Sequence, residues 1–273
     1  MFKALFFLVI TLPFFTLASD EMEWPTHSIT LTYGVSFHDS SIQLGTRSGG
    51  GFIIDTEDTL GLKETQSSIR LNYDWRFSDN KKHIMAFSWY QYHRSGRKVL
   101  AEDIKYEDKD GNEQTIPTGT LIDSVFNFDI IRLFYAYSFF LDDRINLSGG
   151  AGFYVMPIEV GVGESGQAKT KNSFVAPLPT FKLKAEINLT QKWILNSELN
   201  LFYIKIGSFS GKVFSNNLYA DYRFDNDFFL GLGIEAFKID IKLDEDNTIF
   251  ESDLDGRVIL ANQSLLMRLR YDL

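Results

Sequence analysis

The sequence contains no cysteine and only four histidines among its 273 residues. A chain without thiols forms no disulfide, binds no zinc through thiolates and offers no cysteine nucleophile. The scarcity of histidine confines imidazole-based metal sites and catalytic triads to very few positions. The chemistry available to this chain therefore comes mainly from carboxylates, amides, hydroxyls and basic side chains.

Positive charge is also in short supply. Lysine and arginine number 27 against 36 aspartates and glutamates, which gives a formal net charge of −9 and a sequence pI near 5.0. Nucleic-acid-binding domains need clustered lysine and arginine to neutralise phosphates. We therefore expect no nucleic-acid partner.

Long hydrophobic runs are also absent. After the amino-terminal segment, no part of the chain reaches the roughly 20 consecutive apolar residues that a transmembrane helix needs. The amino terminus itself carries Lys3, an apolar run over residues 4–15 and small residues ahead of Ser19. This pattern predicts a secretory signal peptide over residues 1–18, because the run is too short to anchor the chain. Residues 19–273 are then expected to form a single domain.

The sequence does contain a regular alternation of apolar and polar residues, which is clearest in its last ten residues. Apolar side chains at every second position alternate with polar ones there, apart from Leu266: Ser264, Leu265, Met267, Arg268, Leu269, Arg270, Tyr271, Asp272 and Leu273. A strand points successive side chains to opposite faces, so one face is apolar and the other charged. A membrane-spanning strand, with lipid outside and a polar lumen inside, needs both faces.

The same alternation recurs along the chain between polar connections of two kinds. Short turns at residues 78–81, 142–144, 188–191 and 225–227 largely alternate with longer loops such as 39–66, 95–121, 159–175 and 243–256. Bacterial outer-membrane barrels have short periplasmic turns and longer extracellular loops, which predicts both termini in the periplasm.

The intervening segments give a count of about ten strands, within a range of about eight to twelve. They lie near residues 27–37, 68–77, 83–94, 123–140, 144–158, 178–189, 192–206, 212–224, 227–242 and 257–273. The predicted fold is therefore all-β: a transmembrane, antiparallel, up-and-down β-barrel. A further short strand is expected near residues 52–54.

Two of these strands change phase. In residues 227–242 the apolar parity switches, and a β-bulge between Glu235 and Phe237 would restore a single lipid-facing side. The strand over residues 123–140 slips similarly around Ile130 and Ile131. We predict an irregularity at both places.

As a whole, the mature chain resembles the broad class of Gram-negative outer-membrane β-barrel proteins. The likeness lies in the pattern of strands and turns, and the chain departs from it by ending on Leu273, two residues after Tyr271. The resemblance implies insertion by the barrel-assembly machinery, residence in the outer membrane, and contact with outer-membrane lipid and lipopolysaccharide. Nothing in the sequence fixes an oligomeric state.

The face opposite the lipid predicts the content of the lumen. Its charged members are Arg70, Asp74, Arg76, Lys182, Lys184, Glu186, Glu198, Asp221, Arg223, Glu235, Arg268, Arg270 and Asp272. A buried charge without a partner is costly, so we expect these side chains to pair. Paired, they would form a rigid polar plug; the alternative is a path for protons, ions or small solutes. A general porin is disfavoured, since such channels need about 16 strands or more.

His93 and Ser95, at the end of the third predicted strand, are a weak candidate catalytic pair. Two residues apart on a strand, they face the same way, which suits a hydroxyl nucleophile with a histidine base. The element resembles the His-x-Ser of outer-membrane phospholipase A and of lipid A deacylases, although the Asn or Glu partner of those enzymes cannot be placed. An omptin-like protease, suggested by strand number alone, would use rim carboxylates such as Asp103, Glu107, Asp240 and Asp244 with His93 or His38.

Acidic loops offer a third possibility, because hard oxygen ligands suit Ca²⁺ or Mg²⁺. Asp108 and Asp110 lie in one such loop and Asp244 and Asp246 in another, and neither loop has EF-hand spacing. Solvated hairpin tips explain them as well, and we predict no cofactor.

Taken together, these features favour a non-enzymatic, surface-exposed structural or interaction protein that contacts ligands through its extracellular loops. An outer-membrane enzyme acting on lipid or peptide at the rim is the alternative, and a narrow channel is the third hypothesis.

Overall fold

The computed structural model describes residues 23–44, 52–107, 113–166, 170–206, 209–224, 227–243 and 256–273, so the predicted signal peptide lies outside the described residues. The strands are β1 (His27–Leu44), β2 (Phe52–Asp55), β3 (Thr65–Arg76), β4 (His83–Val99), β5 (Ile104–Glu107), β6 (Glu113–Ile116), β7 (Leu121–Leu141), β8 (Ile145–Glu164), β9 (Thr170–Asn188), β10 (Trp193–Ile206), β11 (Phe209–Arg223), β12 (Phe228–Leu243) and β13 (Gly256–Asp272). Among the described residues, no helix has the length and apolar character to cross a membrane.

Ten of these strands form a closed antiparallel barrel in chain order: β1, β3, β4 and β7 to β13. The last strand closes it by pairing with the first, from Ser28 opposite Asp272 to Leu44 opposite Gly256. Closure removes the unpaired edge that lipid could not satisfy. The prediction of a ten-stranded up-and-down transmembrane barrel is confirmed.

The strands run further than the sequence pattern predicted. β1 continues to Leu44, β4 to Val99, and β9 begins at Thr170, so much of the predicted loop sequence is paired wall. The short strand expected near residues 52–54 is β2, and it pairs with the far end of β1. β5 and β6 form a separate hairpin. The start of β1 and the end of β13 lie with the short turns at one end, the short-turn end, and these extensions lie at the other, the long-loop end.

An apolar belt surrounds the half of the barrel next to the short-turn end. Its outward side chains are 38–67 % exposed, as lipid-facing residues must be: Ile29, Leu31, Tyr33, Phe37, Ile69, Leu71, Phe87, Trp89, Leu133, Tyr135, Phe153, Phe181, Leu183, Leu201, Leu218, Leu230, Leu232, Ile234, Leu265, Met267 and Leu269. Aromatic residues concentrate at its short-turn edge, including Trp75, Phe139, Trp193 and Phe228. Such rings favour the membrane interface because they combine an apolar body with polar or polarisable edges.

Beyond the belt the pattern inverts. In β12, Phe237, Ile239 and Ile241 point inward and are at most 3 % exposed, whereas Lys238 and Lys242 point outward. The register of β12 with β11 and β13 is continuous through Glu235–Phe237, so the predicted β-bulge is wrong. The switch in parity needs no bulge, because water replaces lipid outside the barrel at this level.

β7 shows the same inversion. Phe126, Phe128 and Ile130 are buried inside the barrel, and Asn127 and Asp129 face outward. Its pairing with β4 is continuous through Ile130 and Ile131, so the predicted slip there is also wrong. The one register shift between β7 and β8 lies at Ser138–Phe140, near the short-turn end.

The interior therefore has two layers. Within the belt lies a charged layer, described below. Beyond it lies an apolar layer to which most strands of the wall contribute: Ile42, Tyr92, Phe126, Phe128, Ile130, Met156, Ile158, Leu178, Val213, Phe237, Ile239, Ile241, Val258 and Leu260. These side chains are at most 3 % exposed, so they fill the long-loop half of the barrel as a soluble protein fills its core.

The inversion can be tested by thiol labelling, because the natural chain has no cysteine. In purified barrel in detergent micelles, Lys238→Cys should react rapidly with a water-soluble maleimide. Ile239→Cys should react only after unfolding, since its side chain lies in the apolar layer. Preferential labelling of the Ile239→Cys variant in the folded protein would restore the bulge and contradict the inverted arrangement.

Candidate functional site

The charged layer consists of buried and half-buried ion pairs, some of which join strands that are not neighbours in the sheet. Arg70 of β3 meets Glu235 of β12 at 2.6 Å, and both side chains are at most 5 % exposed. Arg76 meets Glu186 at 2.7 Å. These pairs join strands that are not neighbours in the sheet, so they fix the shape of the barrel from within.

Two carboxylates in this layer, Glu186 and Glu198, contact two cations each. Glu198 accepts from Arg132 at 3.3 Å and from Lys182 at 3.1 Å. Lys184 in turn bridges Asp74 and Glu186, at 3.1 Å to each. Such sharing offsets the cost of removing charges from water more fully than isolated pairs do.

Tyrosines join the charged layer to the apolar layer. The Arg70 guanidinium donates to the Tyr92 hydroxyl at 2.8 Å and lies 4.7 Å from the centre of the Tyr90 ring. Arg132 lies on the same ring at 5.5 Å. The two tyrosines therefore contact guanidinium groups on the side of the charged layer and apolar side chains on the side of the apolar layer.

The sequence-predicted lumen residues lie inside the barrel, apart from Arg223. Arg268 binds Asp221, with its Nε donating at 2.7 Å. Arg270 binds Asp272, two residues along the same strand, at 2.8 Å. Arg223 lies at the short-turn rim, where Asp227 accepts from it at 2.8 Å.

Arg132 is a member of the charged layer that sequence reasoning missed. It lies on β7 just after Ile130 and Ile131, where the predicted slip obscured which parity faces inward. With an unbroken alternation, Arg132 falls on the same face as Phe134, Ala136 and the rest of the lumen side. An uninterrupted alternation along β7 would therefore have identified Arg132 as a lumen residue from the sequence.

On the outer wall, just beyond the belt, the structure brings a carboxylate to the candidate catalytic pair. Asp129 of β7 lies 3.4 Å from His93 of β4, Oδ1 to Nε2, with side chains 35 % and 55 % exposed. Ser95 is exposed on the same outward face of β4. Asp129, His93 and Ser95 are thus side by side on the barrel wall, outside the lumen.

The residues considered for an omptin-like site do not converge. His38 lies buried inside the barrel, where its ring packs edge-on against the Tyr92 ring at a centroid distance of 5.3 Å. Asp240 lies on the outer wall in a bidentate pair with Arg257 at 2.7 and 2.6 Å, and these hydrogen bonds hold its pKa below the usual range. Asp103 accepts from the backbone N–H of Thr118 at 2.7 Å, closing the loop around the β5–β6 hairpin.

The acidic loop residues proposed as cation ligands, Asp108, Asp110, Asp244 and Asp246, lie outside the described residues, as does the omptin-like candidate Asp244. Within the described part of the chain, no group of three or more His, Asp or Glu side chains is placed to hold a metal ion.

The buried ion pairs of the charged layer are expected to contribute to the free energy of unfolding. Glu235→Gln keeps the side-chain volume but leaves Arg70 buried without a counter-charge, so the free energy of unfolding should fall by about 3–5 kcal/mol. Denaturant titration of the purified barrel in detergent measures this. The matched control is Asp123→Asn at the exposed Arg97 pair on the outer wall, where the Arg97 Nε to Asp123 distance is 2.6 Å and little change is expected. Equal effects at the two sites would contradict the structural role of the charged layer.

Comparisons with known proteins agree with this architecture. No protein-family description and no curated protein matches the sequence. Among solved structures, the outer membrane protease OmpT from Escherichia coli aligns with a TM-score of 0.53 at 9 % identity, over 90 % of this chain and 96 % of that one. The attachment invasion locus protein Ail of Yersinia pestis aligns with a TM-score of 0.37 at 10 % identity, over 89 % and 98 % of the two chains.

The translocator domain of the autotransporter NalP from Neisseria meningitidis aligns with a TM-score of 0.43 at 10 % identity, covering 90 % of this chain and 88 % of that one. The OmpT likeness, at 9 % identity, shows the fold and nothing finer. The chain therefore has the fold of the Gram-negative outer-membrane β-barrel proteins, in a closed ten-stranded form.

Proposed function

We propose that this chain is a non-conducting outer-membrane protein that serves as a structural and interaction platform, contacting its ligands through the extracellular half. The observation that carries the proposal is the filled interior. The charged layer pairs across the lumen, and the apolar layer beyond it consists of side chains at most 3 % exposed. A solute entering from the short-turn end would meet a packed hydrocarbon core.

The outer wall supports a partnership with outer-membrane lipid, including the phosphates of lipopolysaccharide. Just beyond the belt, the sector formed by β10 to β13 presents cations, of which Arg257 is paired with Asp240: Lys205, Lys212, Lys238, Lys242 and Arg257. Lys212 lies 5.5 Å from the centre of the exposed Tyr203 ring, which combines an aromatic surface with positive charge. Lipid phosphates lie at the edge of the hydrocarbon region, so this sector is placed to meet them.

Conductance in planar bilayers tests the non-conducting function. The purified barrel should give no current above leak, because the apolar layer admits neither ions nor water. A trimeric porin refolded and inserted by the same protocol is the positive control for the assay. Stepwise currents from this chain that disappear on heat unfolding would overturn the proposal.

A second candidate function, acyl-ester hydrolysis, is favoured by the pairing of Asp129 with His93. In this mechanism the Ser95 hydroxyl adds to the ester carbonyl, His93 takes its proton and later protonates the departing alcohol, and Asp129 stabilises the imidazolium. Water then releases the acid from the acyl-serine by the same route. The position of the three residues on the wall at the edge of the belt suits a lipid substrate better than a peptide.

Hydrolysis of phospholipid or acylated glycolipid in mixed micelles tests this candidate. His93→Ala and Ser95→Ala should each lower kcat by about 10²-fold or more, the usual contribution of a base or nucleophile. Arg97→Ala, an exposed change on the same strand, is the control and should leave the rate unchanged. Full activity in the folded Ser95→Ala variant, or none in the natural chain, would eliminate the hydrolase.

A further inference from the structure

In the long-loop half, the barrel wall divides into two sheets that face each other across the apolar layer, as the sheets of a β-sandwich do. One sheet contains β10 to β13, β1 and β2, and the other contains β4 and β7 to β9. Two seams separate them. The ladder between β3 and β4 stops at Arg70 opposite Tyr90, and the ladder between β9 and β10 stops at Phe181 opposite Leu201, although all four strands continue toward the long-loop end.

The seam between β3 and β4 is closed by other contacts. The chain segment of residues 56–63 lies against β4, where Leu62 forms a β-bridge with Gly96. Closer to the belt, the Gln66 side-chain amide of β3 donates to the backbone carbonyl of His93 at 2.8 Å. A bridge and a side chain therefore take the place of the missing ladder on this side of the barrel.

The seam between β9 and β10, the β9–β10 seam, is set by two prolines. Successive residues of a strand direct their backbone N–H groups to alternate neighbours. At the short-turn end of β9, Asn188 donates on the β8 side and Leu189 on the β10 side. Pro177 and Pro179 share the parity of Leu189, so both missing N–H groups lie on the β10 side. The ladder with β8 continues through both prolines, whereas the ladder with β10 ends before it reaches them.

The β10 edge of this seam is polar. By the same alternation, the backbone N–H groups of Tyr203 and Lys205 face the seam, and among the described residues no strand pairs with them there. The Lys205 side chain is exposed, and Lys212 of β11 lies opposite Tyr203, 5.5 Å from the centre of its ring. Backbone N–H donors beside ammonium groups form an edge that suits an anion.

The inward side of the same edge is apolar and only half covered. Phe202 and Ile204 pack against the apolar layer but are half-buried, whereas the members of that layer named above are at most 3 % exposed. The seam begins at the edge of the belt, where the exposed side chains of Phe181 and Leu201 face lipid. Hydrocarbon that continued from the belt into the seam would remove the remaining apolar surface of Phe202 and Ile204 from water.

We infer that the β9–β10 seam binds one acyl chain of lipid A, the membrane anchor of lipopolysaccharide, with a phosphate of the lipid at the polar edge. The inference rests on the proposed partnership with outer-membrane lipid and names the part of the lipid that is held. Residues 201–205 place an apolar surface and anion donors within one strand segment, which matches a lipid whose phosphates and chains meet at the membrane surface. Lipid A is the lipid of the outer leaflet, which the proposed extracellular half would face.

Photo-crosslinking of the full folded barrel in phosphatidylcholine vesicles tests the inference. The vesicles contain lipid A with photoreactive diazirine groups in its acyl chains, and mass spectrometry locates the adducts. We expect adducts on the inward residues Phe202 or Ile204 as well as on the outward residues Phe181 and Leu201. Adducts on the outward residues alone would overturn the inference and leave the proposed lipid partnership intact, whereas the absence of adducts on both strands would contradict both. Equal or higher inward yield from diazirine-labelled phosphatidylglycerol would overturn the assignment to lipid A.

The prolines provide a second arm. The double variant Pro177→Thr with Pro179→Thr restores both missing N–H donors, so the ladder can continue and close the seam. Inward adducts should then disappear while outward adducts remain. Pro157→Thr, in β8 and away from the seam, is the control and should leave both yields unchanged. Persistent inward adducts in the folded double variant would contradict the inference, with folding established by heat-modifiable gel mobility.

A third arm removes the charges at the polar edge and decides the matter if the proline variant fails to fold. Replacing Lys205 and Lys212 by Gln should weaken lipid A binding by about tenfold or more, because charge-assisted contacts to phosphate are lost. Lys63→Gln, an exposed change near the other seam, is the control and should bind as the natural chain does. Unchanged affinity in the Lys205 and Lys212 double variant would overturn the placement of phosphate at this edge.

Discussion

The surrounding medium changes partway along the barrel, and this single change determines which side chains each strand turns inward. β12 crosses the boundary without a break in register: Leu232 and Ile234 face outward within the belt, and Ile239 and Ile241 face inward beyond it. In lipid the hydrophobic effect does not drive apolar residues inside, since the exterior is already apolar. In water it does, at about 25 cal/mol for each Å² of apolar surface removed.

The ion pairs follow from the same boundary. Within the belt, the outward side chains of the strands are apolar because they face lipid. The charged side chains point inward, since exposing them to lipid would cost free energy. A charge in a narrow lumen is stable only with a counter-charge at contact distance, which the Arg70–Glu235 pair shows at 2.6 Å. Glu186 and Glu198 each serve two cations, so the removal of one side chain leaves more than one partner unsatisfied. The layer therefore links β3, β7, β9, β10 and β12 mechanically.

The alternation of residues 264–273 and of the other strands was enough to predict the barrel, its strand count and its closure. Each of these depends on a period of two that the sequence displays directly. The two predicted irregularities failed because they assumed one medium outside the whole strand. A bulge between Glu235 and Phe237 would turn Lys238, Asp240 and Lys242 toward the lumen, whereas in the continuous strand they lie on the outer wall.

The candidate sites were less accessible from sequence, for a geometric reason. His93 and Ser95 are near neighbours in sequence, so their common face could be predicted from a strand alone. Asp129 reaches His93 only through the register of β4 with β7, across a connection of about 20 residues that gives no local signal. The cavity of about 710 Å³ at the short-turn end depends on Trp24, Phe229 and Arg270 meeting there, which requires closure between the first and last strands.

The apolar layer also separates the two ends of the molecule chemically. The cavity at the short-turn end lies inside the barrel, and the Asp129, His93 and Ser95 cluster lies on the outer wall, so no continuous polar path through the lumen joins them among the described residues. A ligand at one end can influence the other only by shifting the charged layer or the strands themselves. Because Glu186 and Glu198 each contact two cations, such shifts would break several contacts at once. The structure therefore favours surfaces that act independently, each with its own partner, on a rigid wall.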